Sequence, residues 1–176
     1  MSVGPALDLY SGAAFALLLG AGCVTDLRTR RIPNELVVII ALIGIARSTI
    51  ALPWPSGTIA ACAGLGTGLA IWLPFWLFRM LGAGDVKFFA AGAAWLGVAG
   101  AIEGALLAAF AGGVVSLGYM LARRGVGFTA VRLVHGMSQP EGLRNDPESD
   151  AARKVPYALA MAAGLLLASL RPGTLL

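Results

Sequence analysis

The sequence predicts an all-α fold, a polytopic membrane helix bundle of about six transmembrane helices. Composition is the first reason. Of 176 residues, 58% are hydrophobic and only 12% are charged, about half the charge of an ordinary soluble domain. Spacing is the second. The apolar residues fall into runs close to the roughly 20 residues that cross a bilayer as a helix. The third is the abundance of small residues. The 24 glycines suit helices that approach closely in a membrane.

Residues 6–25 form the first apolar run, with Asp8 near its outer end. No Lys or Arg precedes it. A cleavable signal peptide has a positive start, so the run reads as a retained span. Residues 35–52 are the second span. Pro53-Trp54-Pro55-Ser56-Gly57 then makes a turn with an interfacial tryptophan. Residues 58–78 are the third, with Pro74 as a possible kink. Within it, Gly64 and Gly68 have the Gly-xxx-Gly spacing of close helix packing. Residues 86–121 are too long for one ordinary helix, and Glu103 would lie near the middle. A split near 97–104 yields a fourth and a fifth span, and residues 155–170 give the sixth.

The cations orient the bundle. On this layout Arg28, Arg30, Arg31, Arg79, Lys87 and the six cations of 123–154 share one side. Arg47 and Arg171 lie near the other. The rule that cytoplasmic loops are rich in Lys and Arg makes the first side cytoplasmic and places both termini outside. The expected location is the inner or plasma membrane, with lipids as partners. The net charge of +4 follows this topology. No basic stripe interleaves with aromatics, so nucleic acid is not an expected partner. Residues 125–154 are the one sizeable polar stretch and read as a cytoplasmic loop. Phe128, Val131, Val134 and Met137 recur at threes, as a short interfacial helix would have them. His135, the only histidine, reads as a solvated interfacial residue. Cys23 and Cys62 fall inside apolar runs without zinc-ligand spacing, so no metal or cofactor is expected.

Two aspartates carry the chemistry. Asp26 opens Asp26-Leu27-Arg28-Thr29-Arg30-Arg31-Ile32-Pro33-Asn34, and Asp85 closes Gly82-Ala83-Gly84-Asp85. Carboxylates at the edge of membrane spans are costly and are functional candidates by default. Two spans separate them, and an even number of crossings returns the chain to the same face. Asp85 also suits a helix N-cap, and Asp26 suits pairing with Arg28, Arg30 or Arg31. Glycines at both 82 and 84 exceed what a cap requires. They allow extended backbone and close approach by another peptide. Pro33 ends the intervening loop, and Asn34 is placed to cap the next helix. Lys87 is a candidate to steady the Asp85 anion, and the acidic residues of 141–150 read as a solvated loop. The helix dipole behind Asp85 favours its anionic form, which hints at Asp26 as the proton carrier. The fourth span would rise only about 20 Å at 1.5 Å per residue. That is short of a core of roughly 30 Å, which implies a thinned bilayer or a recessed Asp85.

Gly82-Ala83-Gly84-Asp85 matches the Gly-x-Gly-Asp motif of intramembrane-type aspartic proteases. With Asp26, Ile32-Pro33-Asn34 and Lys154-Val155-Pro156-Tyr157 at the start of the last span, nearly the whole chain resembles the prepilin peptidase family. The resemblance implies a single transmembrane peptidase domain over 1–176, with Asp26 and Asp85 as the catalytic pair. It implies cleavage of the basic leader of type IV pilin-like precursors at the cytoplasmic face. Gly82, Gly84, Pro33, Asn34, Lys87, Pro156 and Tyr157 would shape the site. The larger members carry a cysteine-bearing cytoplasmic region and methylate the new terminus. This chain instead resembles the short members associated with Flp-type, tight-adherence pili, which implies no N-methyltransferase activity. Two other classes fit an acidic helical bundle: a small proton-coupled transporter, and a non-catalytic membrane subunit of a secretion or pilus assembly. A transporter would hold its carboxylates near the midplane rather than at one rim.

Overall fold

The structure is a computed structural model, and it describes residues 5–122 and 157–170. The described residues form six helices and no strand: α1 (Pro5–Thr29), α2 (Asn34–Ala51), α3 (Ser56–Leu77), α4 (Ala83–Ala93), α5 (Gly97–Ala122) and α6 (Tyr157–Ser169). The chain divides into two compact units, Met1–Ala111 with Pro156–Leu176, and Gly112–Val155. Within the second, only the end of α5 is described. The predicted loop at 125–154, His135 and Pro156 lie outside the described residues.

Four helical stretches are long and apolar enough to cross a membrane: Leu9–Thr29, Asn34–Ala51, Ser56–Leu77 and Gly97–Ser116. Their outward faces carry large apolar side chains, among them Leu17, Leu42, Ile59 and Leu106, each more than half exposed. Such a surface is stable against lipid and costly against water. The protein is therefore a helical membrane protein. α4 and α6 are shorter. α4 has 11 residues, about 16 Å of rise, and from Val86 to Ala93 only Lys87 is exposed. It is the central helix of the first unit.

Glycine sets how closely the neighbours approach α4. Gly64 lies on the Ala93 carbonyl, and a Cβ there would also come within 2.8 Å of Gly97 Cα. Gly68 is close as well, though less so, with Ala90 Cα and Ala93 Cβ each 3.0 Å from the place a Cβ would occupy. Gly66, between them, faces open space, so the Gly-xxx-Gly spacing is a real contact face. From α1, Gly22 lies under the Phe88 ring. Deeper in, Phe15 stacks on Trp95 with ring centroids 4.9 Å apart. Trp95 donates its indole N–H to the Ile40 carbonyl of α2 (2.9 Å), which satisfies a polar group in an apolar core. On the far side, Gly164 of α6 fits against Gly104 and Ala108 of α5.

The chain turns between α4 and α5 at Ala94–Leu96, three residues before the predicted split begins. Gly97, at φ 67°, is the residue that makes the reversal, a conformation open to glycine at little cost. α3 ends as a Schellman motif. Met80 N–H bonds the Phe75 carbonyl (2.8 Å), Arg79 N–H bonds the Trp76 carbonyl (2.9 Å), and Arg79 takes the left-handed conformation. α1 ends on the simpler αL motif. Arg30 N–H bonds the Asp26 carbonyl (2.7 Å), with Arg30 at φ 53°. α1 therefore runs four residues past the predicted end of the first span and includes Asp26.

Candidate active site

Helix register brings the two aspartates together. Along α1, Gly22 meets Phe88 of α4, and Phe15 meets Trp95 of the turn that follows it. The residue numbers of each pair total 110, as they must for antiparallel neighbours in constant register. Position 26 then faces position 84, beside Asp85. On the α3–α4 seam Gly64 meets Ala93, Gly68 meets Ala90 and Ala93, and Trp72 meets Phe89, so the two helices run antiparallel. The last turns of α3 are therefore level with the first turn of α4, which holds Asp85. The loop after α1 closes the arrangement, because the Ile32 side chain lies 3.8 Å from the place a Cβ on Gly84 would occupy. The two sequence motifs thus meet at one end of the bundle.

Asp85 lies in the first turn of α4, whose N-cap is Gly82. It is not the cap itself. Its carboxylate reaches back to accept a hydrogen bond from the Gly82 N–H, the second half of a capping box without the first. A Cβ on Gly82 would stand 3.0 Å from Asp85 Oδ2, so glycine here leaves room for the carboxylate. Burial pushes the Asp85 carboxyl up to about 6; the charge of Asp26 adds to this, and the Gly82 N–H opposes it. Burial raises the Asp26 carboxyl as well. The N-terminus of α4 does favour the anion, but desolvation outweighs it, so Asp85 keeps its proton to a higher pH than an ordinary carboxyl does.

The other predicted site residues divide. Tyr157 opens α6 with its ring edge-on to Trp72, centroids 6.2 Å apart, and it lies within reach of the Asp85 charge. Pro33 and Asn34 are exposed. Pro33, not Asn34, is the N-cap of α2, and no side chain caps that helix. The Pro33 carbonyl accepts the Val37 N–H (3.3 Å), so the helix already includes Asn34. Lys87 is exposed and makes no ion pair with the described residues. Two positions along a helix turn a side chain by about 200°, so Lys87 leaves α4 on the face away from Asp85.

Two neighbours of the site were not evident from the sequence. Cys23, one turn before Asp26, is buried and donates its thiol to the Ala158 carbonyl at 3.7 Å, joining α1 to the first turn of α6. Trp72 is buried among Phe75, Phe89 and Tyr157. It extends the Gly64, Gly68 stripe by another four residues, and that repeat was the available signal. No cluster of His, Cys, Asp and Glu among the described residues is suited to a metal ion.

The model of the type IV leader peptidase family matches residues 13–117. That span is more than half of the chain and includes both aspartates and both motifs. The chain belongs to the type IV leader peptidase family. No curated protein and no solved structure matches it. Membership makes the protein a membrane peptidase of the prepilin leader type, with pilin-like precursors as its substrate class.

Proposed function

We propose that this peptidase is an aspartic endopeptidase in which Asp26 and Asp85 form the catalytic dyad. The observation that carries the proposal is their common level across the α1–α4 seam. It is supported by the influence of the Asp26 charge on Asp85. Two neighbouring carboxyls cannot easily both ionise, so the pair shares one proton and titrates as a unit. The ionised carboxylate takes a proton from water, and the water oxygen attacks the scissile carbonyl carbon. The protonated partner gives its proton to the carbonyl oxygen, which leaves a tetrahedral diol. Collapse of the diol breaks the C–N bond, and the amine leaves with the proton first taken from water. No metal or cofactor enters the scheme.

The substrate we propose is a Flp-type, type IV pilin-like precursor, cut between its basic leader and its hydrophobic helix. Arg28, Arg30, Arg31 and Arg79 stand at the same end of the bundle as the dyad. The concentration of cations there supports a cytoplasmic active site at the inner membrane. Co-expression with such a precursor tests the reading. Cleavage yields a faster-migrating pilin, and each of Asp26→Ala and Asp85→Ala abolishes it. Continued processing by both single variants would overturn the dyad. Mass spectrometry of the product locates the cut and tests the expected absence of N-methylation.

A further inference from the structure

We propose that the Tyr157 hydroxyl donates a hydrogen bond to the carbonyl oxygen of the scissile peptide, and that Trp72 is the positioning residue that holds the Tyr157 ring. The inference rests on the dyad reading and adds a catalytic group to it. Tyr157 lies outside the family match, which ends at residue 117.

Several elements fix where Tyr157 sits. The first turn of α6 is joined to α1 beside Asp26, through Cys23 and the Ala158 carbonyl. Its ring meets Trp72 at an interplanar angle of 77°. Trp72 in turn meets Phe89 edge-on, centroids 5.6 Å apart. Phe89 follows Asp85 by four residues and so shares its face of α4. Trp72 is 3% exposed, and its indole N–H has no hydrogen-bond partner among the described residues. The ring serves the bundle by its shape rather than by its donor.

Through Trp72 and Phe89, the Tyr157 ring is packed on the side of α4 that carries Asp85. The charge of Asp85 reaches Tyr157, yet no hydrogen bond joins the two side chains. A phenol not bonded to the carboxyl has its O–H available to a substrate atom. In the proposed reaction the carbonyl oxygen must come within hydrogen-bond distance of the proton-bearing carboxyl. A phenol on the far side would then reach the same oxygen. As the water adds, negative charge builds on that oxygen. A fixed donor in a desolvated site stabilises this charge more than it stabilises the neutral carbonyl. The phenol keeps its proton throughout.

Tyr157→Phe in the full-length, detergent-solubilised peptidase, assayed on a purified pilin precursor, tests the inference. The expected result is a fall in kcat of about 10²-fold with KM little changed, as for loss of one oxyanion donor. A statine-containing leader peptide, whose hydroxyl mimics the diol, should lose roughly the same factor in affinity. A merely structural role would change substrate and statine binding alike. Tyr157→p-aminophenylalanine keeps a donor and should recover much of the rate, which also controls for misfolding. Trp72→Ala should lower kcat when Tyr157 is present and change little further in the Tyr157→Phe background. Unchanged kcat in Tyr157→Phe overturns the donor, and additive losses overturn the role of Trp72. Asp26→Ala and Asp85→Ala run in parallel. If they still cleave, the dyad itself fails; if they are dead and Tyr157→Phe is normal, only this inference fails.

Discussion

Asp26 stands near the end of a 25-residue helix, whereas Asp85 stands in the first turn of an 11-residue one. α1 is long, largely exposed along its outer face, and ends on a left-handed Arg30. α4 is short and buried on nearly every side. Asp85 also has a backbone donor of its own in Gly82, while Asp26 takes its place from the register of its helix. One carboxyl is thus held by local hydrogen bonding and burial, the other by a seam of glycine and aromatic contacts. The two should respond differently to changes that leave both carboxyls in place.

The largest effect tests what they share. Asp26→Asn and Asp85→Asn should each lower kcat by roughly 10²–10⁴-fold, the range for a positioned acid or base. The double variant should be scarcely worse than either single, because the pair acts as a unit. Additive losses in a single-turnover cleavage assay would mean two independent roles.

The next effect separates the two carboxyls. Gly82→Ala places a Cβ 3.0 Å from Asp85 Oδ2, whereas Gly84→Ala meets only Ile32 at 3.8 Å. The first should displace Asp85 and lower kcat by about tenfold, equivalent to roughly 1.4 kcal/mol of transition-state stabilisation. The second leaves the folded site intact, so its effect should appear in KM, where the substrate backbone approaches. Equal kcat losses would mean that Gly84 also sets the dyad geometry.

Much of this arrangement was legible in the sequence. The apolar runs located α1, α2, α3 and α6 to within a few residues, because membrane spans are read from composition over long windows. The Gly-x-Gly-Asp motif and an even count of crossings placed both aspartates at one end. Local reversals were harder to read. Asn34 has the chemistry of a cap, but the backbone of Pro33 starts α2 without a side chain's help. The α4–α5 turn ends on Gly97 at positive φ, the first residue of the predicted split, but the length of the run alone did not show that the turn occupies Ala94–Leu96. The raised pKa of Asp85 was beyond local reasoning. Its dipole is a property of one helix, but its burial is supplied by neighbours distant in sequence. Trp72 was missed for the same reason, since its meaning lies in Phe89 and Tyr157.

pH separates the carboxyls further. Asp85 titrates at about 6, against an ordinary 3.8. The folded protein therefore binds this proton more tightly than the unfolded chain. The resulting stability is fully present below pH 3.8 and is lost as pH rises through about 6. Activity should show an alkaline limb at or above that value, because bound substrate adds to the burial of Asp85. Asp26→Asn removes a charge that helps hold the proton, so the Asp85 titration should move down. Carboxyl carbon NMR on aspartate-labelled protein reads this directly. An Asp85 that titrates near 4 in the otherwise unaltered protein would return the proton to Asp26.

The smallest expected effect concerns Lys87, the cation closest to Asp85 in sequence. It stands about 200° around α4 from the carboxyl and is exposed, so solvent screens what remains of their attraction. Lys87→Ala should change kcat by less than about twofold, as suits an exposed pair worth at most a few tenths of a kcal/mol. It should also leave the alkaline limb where it stands in the unaltered protein. A shift of that limb to higher pH would mean that Lys87 does stabilise the anion. Asp85 would then owe its protonation to a balance of two charges, Asp26 and Lys87, rather than chiefly to its burial in the α4 seam.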